Sequence, residues 1–215
     1  MSLLDSLKKL VTKEAGNAIN QLSHEAKDKF NDAVQDAKKN VERAIATKTK
    51  TFKFDKLPTS ADEIKALPGG DMKDPFASVA MTILALNLYY KDKEAGIAAF
   101  DYIMGPGELA NLQIQSIDSS IQQNGELVPV SYFEGAKPEN DYTPSKPYTI
   151  KVYELATSKD VYGQGYYRLF VRSGGADGER LVTVRHKPST DQWFAHEFSS
   201  LYLGIRKAKK DDEWA

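Results

Sequence analysis

Asp74-Pro-Phe-Ala-Ser-Val-Ala-Met-Thr-Ile-Leu-Ala-Leu-Asn-Leu-Tyr-Tyr90 is a long apolar stretch in this chain of 215 residues. The opening Asp-Pro pair is typical of a helix start, because the aspartate can cap a free amide and proline fits the first turn. Apolar side chains then occur on every face of the predicted helix, which favours a central position in the fold. At about 16 residues, with Ser78, Thr82 and Asn87 inside, it is too short and too polar for a transmembrane helix.

Further helices are predicted on both sides of this stretch. Ser60-Ala-Asp-Glu63 has the spacing of a capping box, and the helix it starts ends before Pro68. Residues 92–104 form the next helix, which ends at Gly105 and Pro106. Residues 108–123 have apolar side chains near helical spacing and precede an Asn-Gly turn. The first half of this region is therefore a small helical bundle.

From Leu127 onward, the apolar period falls to two, which is typical of strands. The predicted strands are Leu127–Phe133, Tyr148–Leu155, Tyr166–Arg172, Leu181–His186 and Trp193–Phe198. A segment at 48–55 also alternates, and it predicts a short strand or an extended entry to the bundle. The expected fold class is α+β, in which an antiparallel β-meander of about five strands follows the helices.

Residues 1–50 predict a long amphipathic helical arm, and residues 51–215 the α+β domain. Small or apolar residues repeat along the arm with a period of eleven residues, which keeps one stripe on one face of a nearly straight helix. The stripe consists of Leu4, Leu7, Val11, Ala15, Ile19, Leu22, Ala26, Phe30, Ala33, Ala37, Val41 and Ala44. Because much of it is alanine, the arm needs a surface to lie against.

Three surfaces remain open for the arm. It can associate with a second copy or pack on its own chain, it can lie on an anionic membrane surface, or it can bind a partner protein. The first 50 residues carry ten basic and seven acidic side chains, a local charge of +3, which leaves −4 for the remainder. The arm lacks tryptophan, which argues against strong membrane attachment.

Composition narrows the classes of function. A net charge of −1 gives no general attraction to nucleic acid, so no nucleic-acid partner is expected. The chain has no cysteine, which excludes disulfides and thiolate metal sites and fits a reducing compartment. No apolar run of signal-peptide length follows the first methionine, and we expect a cytoplasmic protein, with peripheral membrane attachment as an alternative.

No spacing of nucleophile, base, metal ligand or phosphate loop indicates catalysis. His186 and His196 flank a predicted turn, and whether they share a sheet face depends on the strand register. No metal-binding motif accompanies them, so neither a metal site nor a cofactor is expected. The sequence therefore favours a protein that is not an enzyme, without excluding one.

A ligand site is predicted at a loop and a strand. The loop 134–147 contains three prolines, which favour a fixed shape, and ordered long loops often carry function. One face of the strand 166–172 combines arginines with aromatic residues and would suit an anionic or planar ligand. The candidate binding residues are Glu139, Asn140, Asp141, Tyr142, Arg168 and Arg172. A structural loop and surface arginines remain the alternative.

Six short motifs stand out along the chain: Leu57-Pro-Thr-Ser60, Lys73-Asp-Pro-Phe-Ala77, Ser131-Tyr-Phe-Glu-Gly-Ala136, Pro138-Glu-Asn-Asp-Tyr-Thr-Pro144, Ser173-Gly-Gly-Ala-Asp177 and Gln192-Trp-Phe194. Together they resemble a family of uncharacterised bacterial proteins, mostly from Firmicutes. The resemblance covers about residues 52–215 and implies a shared fold, without a catalytic residue to carry over. The arm lies outside it.

The function expected from these features is that of a non-catalytic binding or adaptor protein whose arm sets oligomeric state or location. The alternatives are a cytoplasmic enzyme or small-ligand-binding protein with its site at the loop and arginine strand, and a peripheral membrane protein. A closed pocket at the predicted residues would favour a ligand or catalysis, whereas a flat face would favour a protein partner.

Overall fold

The structure, a computed structural model, describes residues 47–107, 109–124 and 127–211. Its single described sheet contains β1 Lys48–Phe54, β2 Tyr148–Glu154, β3 Tyr166–Val171, β4 Arg180–Lys187 and β5 Gln192–Glu197. The strands lie in chain order, and every neighbouring pair is antiparallel. This confirms the α+β class and the five-stranded antiparallel sheet. The predicted arm lies outside the described residues as far as residue 46.

The described helices lie between β1 and β2 in the chain. They are α1 Ala61–Ala66, α2 Pro75–Lys91, α3 Lys93–Met104, α4 Asn111–Asn124 and α5 Leu127–Val130. The predicted caps Ser60 and Asp74 are present: their side chains accept hydrogen bonds from first-turn amides of α1 and α2, and Asp92 caps α3 in the same way. Capping satisfies amides that a helix leaves unpaired and so fixes where each helix begins.

Helix α2 is the centre of the fold. Every residue from Phe76 to Tyr89 is buried, and the helix packs against all five strands and against α3. The Ser78 hydroxyl donates to the Trp193 carbonyl at 2.8 Å, which ties the helix to β5. Burial of each large apolar side chain stabilises the fold by roughly 1.5–3 kcal/mol. Within the residues that the structure describes, no helix has the length and apolarity to cross a membrane.

One predicted strand is wrong. The segment Leu127–Phe133 is not a strand: residues 127–130 form helix α5, in which the Ser131 amide donates to the Leu127 carbonyl at 3.0 Å. Pro129 lies inside this segment and cannot donate to a sheet ladder. The short strand predicted at 48–55 is present as β1, which supplies the fifth strand, precedes the helices and pairs with β2 along its whole length.

Candidate functional site

The predicted binding loop is part of a tightly packed cluster of loops. This loop cluster comprises residues 131–136, 138–144, 173–177 and 205–206. At its centre, Tyr142 is buried and its hydroxyl donates to the Arg206 carbonyl at 2.7 Å. Burial raises the pKa of Tyr142, so the hydroxyl stays protonated and acts as a donor near neutral pH. Tyr142 therefore holds the loops together and is not exposed to a ligand.

The other predicted loop residues have mostly local contacts. Asn140 caps its own turn: its Oδ1 accepts from the Lys137 amide at 2.9 Å, and its Nδ2 donates to the Gly135 carbonyl at 2.8 Å. Asp141 pairs with Lys210 at 3.2 Å. Glu139 is exposed on the same turn. The geometry of these residues is that of an ordered structural loop.

Arg168 and Arg172 lie apart from this loop group. No hydrogen bond or ion pair joins either arginine to residues 139–142 in the part of the chain that the structure describes. Arg172 instead pairs with Glu179 at 3.6 Å, and its guanidinium lies 5.5 Å from the ring centre of Tyr153. The structure thus separates the predicted set into a loop part and a strand part.

The strand part belongs to the sheet face that points away from the core. Along β3, Tyr167, Leu169 and Val171 are buried in the core, whereas alternate residues are only partly buried. We call the second side the outer sheet face, and its central residues are Tyr153, Tyr166, Arg168, Phe170, Arg172, Leu181, Thr183 and Arg185.

Strand register arranges this face in rows. Tyr153, Phe170 and Leu181 lie side by side across β2, β3 and β4, with the Tyr153 and Phe170 rings stacked at 6.3 Å. Tyr166 and Arg185 form a second row. Arg168 stands between the rows, opposite Thr183, because alternate residues of a strand share one face. The result is an open surface of aromatic and arginine side chains.

Cations outnumber carboxylates at the centre of the outer sheet face. Lys151 and Arg172 each pair with a carboxylate at the edge, Glu134 and Glu179 respectively. Arg185 lies over the ring of Tyr166 at 5.5 Å. Neither Arg168 nor Arg185 has an ion pair with a carboxylate of the described residues. Glu197 stands beside Thr183 by strand register and opposes one of these charges, so the two arginines leave the centre of the face with a net positive charge.

Tyr153 is the most buried residue of this face, at 6% exposed. Burial raises the pKa of its hydroxyl, and the neighbouring Arg172 guanidinium, which lies 5.5 Å from the ring centre, opposes that rise. Arg172 therefore covers Tyr153 on the outer side.

The two described histidines differ in orientation. His186 pairs in register with Trp193 and stacks on its ring at 4.5 Å, whereas the His196 ring lies 5.0 Å from Tyr166 of the outer sheet face. A β-bulge at Thr183 and Val184 shifts the register between β4 and β5. No group of three or more possible metal ligands comes together in residues 47–107, 109–124 and 127–211.

Sequence reasoning found the β3 part of the face but missed the rest. Tyr153, Leu181 and Arg185 were not among the predicted site residues. Period-two alternation assigns faces within one strand, but it does not say which residues of neighbouring strands stand side by side. The register between strands supplies the identity of these neighbours. In this sheet, the register depends on the loops that join the strands and on the bulge between β4 and β5.

Fold and surface together define an α+β protein with an open, arginine-rich sheet face and a buried central helix. Comparison with known protein families identifies the family of the chain. Residues 56–209 match the family described as "Domain of unknown function (DUF6935)", and the chain belongs to this family. The match confirms the resemblance to an uncharacterised domain family. No curated protein and no solved structure matches the chain.

Proposed function

We propose that this protein is a non-catalytic binding protein whose outer sheet face recognises an acidic segment of a partner protein. The observation that carries the proposal is Arg168, a half-buried arginine between two aromatic rows with no carboxylate partner among the described residues. The predicted arm would set oligomeric state or location.

Charge favours an acidic partner. Arg168 and Arg185 can each bind a carboxylate of a partner molecule, because a guanidinium donates two parallel hydrogen bonds to a carboxylate. An acidic segment would complement these cations without displacing an existing ion pair. The whole chain has a net charge of −1, so the attraction is local to this face and not of the kind that binds a polyanion by bulk charge.

The apolar part of the face favours a protein. Tyrosine, phenylalanine and arginine are enriched at the centres of protein interfaces. The aromatic rings bury a large area with few rotatable bonds, and arginine adds directed hydrogen bonds. Here the half-buried Phe170 and Leu181 stand side by side, with Phe170 stacked on the buried Tyr153, so an incoming side chain would meet preformed apolar contacts. Preorganisation reduces the entropy lost on binding.

A peptide titration tests the proposal on the full chain. The probe is a glutamate-rich peptide that also carries phenylalanine, and its analogue with glutamine in place of glutamate is the charge control. We expect the acidic peptide to shift amide resonances of β3 and β4 in a heteronuclear NMR titration. Arg168→Glu should weaken binding by about tenfold or more, which is roughly 1.4 kcal/mol.

The matched control is Lys91→Glu, which makes the same charge change at an exposed residue at the end of α2. This variant should bind the acidic peptide as the unaltered protein does. Equal losses in both variants would show only a bulk charge effect. Tighter binding of single-stranded DNA than of the acidic peptide would overturn the choice of a protein partner.

A further inference from the structure

A cleft lies between the end of α3 and the hairpin of β4 and β5. Its volume is about 400 Å³, within the range of small-molecule sites. Pro106 and Gly107, which follow α3, form one wall, and residues 185–188 form another. None of the loop residues predicted as a binding site lines it.

The floor of the cleft is apolar. Met104, Phe194 and Ala195 line it, and all three side chains are buried. Gly105 allows this packing: its φ is +61°, and a Cβ there would lie 2.5 Å from the Phe194 ring. Most residues avoid this backbone conformation, so glycine brings the end of α3 against the ring. The floor can thus accept an aliphatic chain or an aromatic ring.

The rim of the cleft is basic. Arg185, His186, Lys187 and His196 line it, and no carboxylate of a described residue does. Two carboxylates outside the lining act on its histidines: Asp191 Oδ1 lies 2.9 Å from His186 Nε2, and Glu197 interacts electrostatically with His196. The end of α3 opposes these cations with roughly half an elementary negative charge, which is less than the two full charges of Arg185 and Lys187. An anionic group is favoured at the rim.

We propose that this cleft binds a small free organic anion with an apolar body, such as a medium-chain carboxylate. The apolar body would lie on Phe194 and Met104, and the anionic group would contact Arg185 and Lys187. The site goes beyond the partner surface proposed above. It shares Arg185 with that surface, and Tyr166 of the surface contacts both Arg185 and His196 of the cleft.

Four probes separate the two requirements of the site when titrated into the full chain by NMR and calorimetry. Octanoate has both the anion and the apolar body, octanol lacks the charge, octylammonium reverses it, and inorganic phosphate lacks the body. We expect octanoate to bind at least about tenfold more tightly than each of the others. Its shifts should fall on the amides of Gly107, Lys187 and Ala195.

Two variants test the residues. Arg185→Gln and Lys187→Gln should each weaken octanoate binding by about three- to fivefold, the range of a partly exposed ion pair. Lys207→Gln removes the same charge from an exposed residue that does not line the cleft, and it should leave binding unchanged. Thermal melts of all three variants check that the fold is intact. Arg168→Glu should retain octanoate binding, which separates this site from the partner surface.

Three results would overturn the proposal. The first is equal affinity for octanoate and octanol, which would leave the basic rim without a role. The second is a map of shifted amides that lies away from the cleft. The third is binding to vesicles of phosphatidylcholine and phosphatidylglycerol that Lys187→Gln abolishes while free octanoate fails to bind, since that would assign the cations to a lipid surface.

Discussion

Glu154 shows how a single buried carboxylate can tie the edge of the sheet together. It is 7% exposed and accepts hydrogen bonds from the Tyr167 hydroxyl and from Thr47 Oγ1, and it pairs with Lys159 at 3.3 Å. Burial alone would raise the pKa of Glu154, but these donors hold it below the usual value of 4.5. The charged form is therefore the one that the fold stabilises.

Glu154→Gln should lower the free energy of unfolding at pH 7 by about 1–3 kcal/mol, because an amide cannot replace the charge-assisted hydrogen bonds. A carboxyl with a lowered folded-state pKa stabilises the protein above its unfolded pKa, and this contribution is lost as pH falls through the folded pKa. The difference between variant and unaltered protein should thus shrink below pH 4.5. Urea unfolding at pH 7 and near pH 3.5 measures it.

Tyr167→Phe is the companion variant, since it removes one donor and keeps the carboxylate. It should cost about 1–2 kcal/mol at pH 7, with less dependence on pH than the loss of the carboxylate itself. A constant difference between Glu154→Gln and the unaltered protein at both pH values would mean that packing, and not charge, accounts for the loss.

The packing of the loop cluster around Tyr142 requires glycine at position 175. A Cβ at this position would lie 2.2 Å from the Tyr142 hydroxyl oxygen and 2.7 Å from Ile205 Cγ2. Gly175→Ala should therefore destabilise the protein by about 1–3 kcal/mol through overpacking. Gly178→Ala in the same region meets no atom within 4 Å and should be nearly neutral. Equal midpoints for the two variants in urea unfolding would contradict the packed arrangement around Tyr142.

At the scale of elements, Asp74 joins a helix to a strand. Its Oδ1 accepts from the Phe76 amide at 3.1 Å, and its Oδ2 lies 2.6 Å from Lys50 Nζ on β1. Asp74→Ala should cost about 1–2 kcal/mol, mainly through the lost cap. Asp74→Asn keeps a capping oxygen and should cost only a few tenths, since the ion pair is partly exposed. Similar losses in both variants would assign the effect to the ion pair.

The helices were the most predictable elements, for the reason that Asp74 illustrates. A cap and a proline are local signals, and the structure places α1, α2 and α3 where those signals predicted. The segment 127–133 was less predictable because a short apolar run suits both a helix and a strand. Pro129 was the available signal against a strand.

The surroundings of the candidate binding residues were less predictable than the fold. In the sequence, Tyr142 looks like a ligand-binding residue because it lies in a long, polar loop. In the structure, its hydroxyl instead joins two loops that are distant in the chain. Arg168 was assigned to the correct face of its strand, but the rows around it depend on register between strands. Local pattern gives the faces of elements, whereas contacts between distant segments require the assembled fold.

At the scale of the whole molecule, the outer sheet face and the cleft share Arg185, and the Tyr166 ring contacts it. The Tyr166 ring lies 5.0 Å from His196 and 5.5 Å from the Arg185 guanidinium. Tyr166→Ala should leave the Arg185 and His196 side chains less fixed and weaken binding of both the acidic peptide and octanoate, by about two- to fivefold each. Peptide and octanoate titrations of this variant and of the unaltered protein measure the change. If neither affinity changes, Tyr166 does not position these two side chains.

Oligomeric state is the property of the whole molecule that the predicted arm should control. The eleven-residue stripe places Ile19 on a narrow, alanine-rich face that gains stability only against another surface. We expect the full chain to form a defined oligomer in size-exclusion chromatography with light scattering. Ile19→Pro should give a monomer, because proline inside a helix costs about 3 kcal/mol.

Ser23→Ala lies off the stripe and should leave the oligomer intact, so it serves as the matched control for the arm. Flotation with vesicles containing phosphatidylglycerol distinguishes the two main alternatives. If the full chain is a monomer that floats with these vesicles and Ile19→Pro does not float, the arm is a surface anchor and self-association is refuted. If the oligomer forms and does not float, the stripe is a contact between copies, and each assembly would present several outer sheet faces to one acidic partner with a gain in avidity.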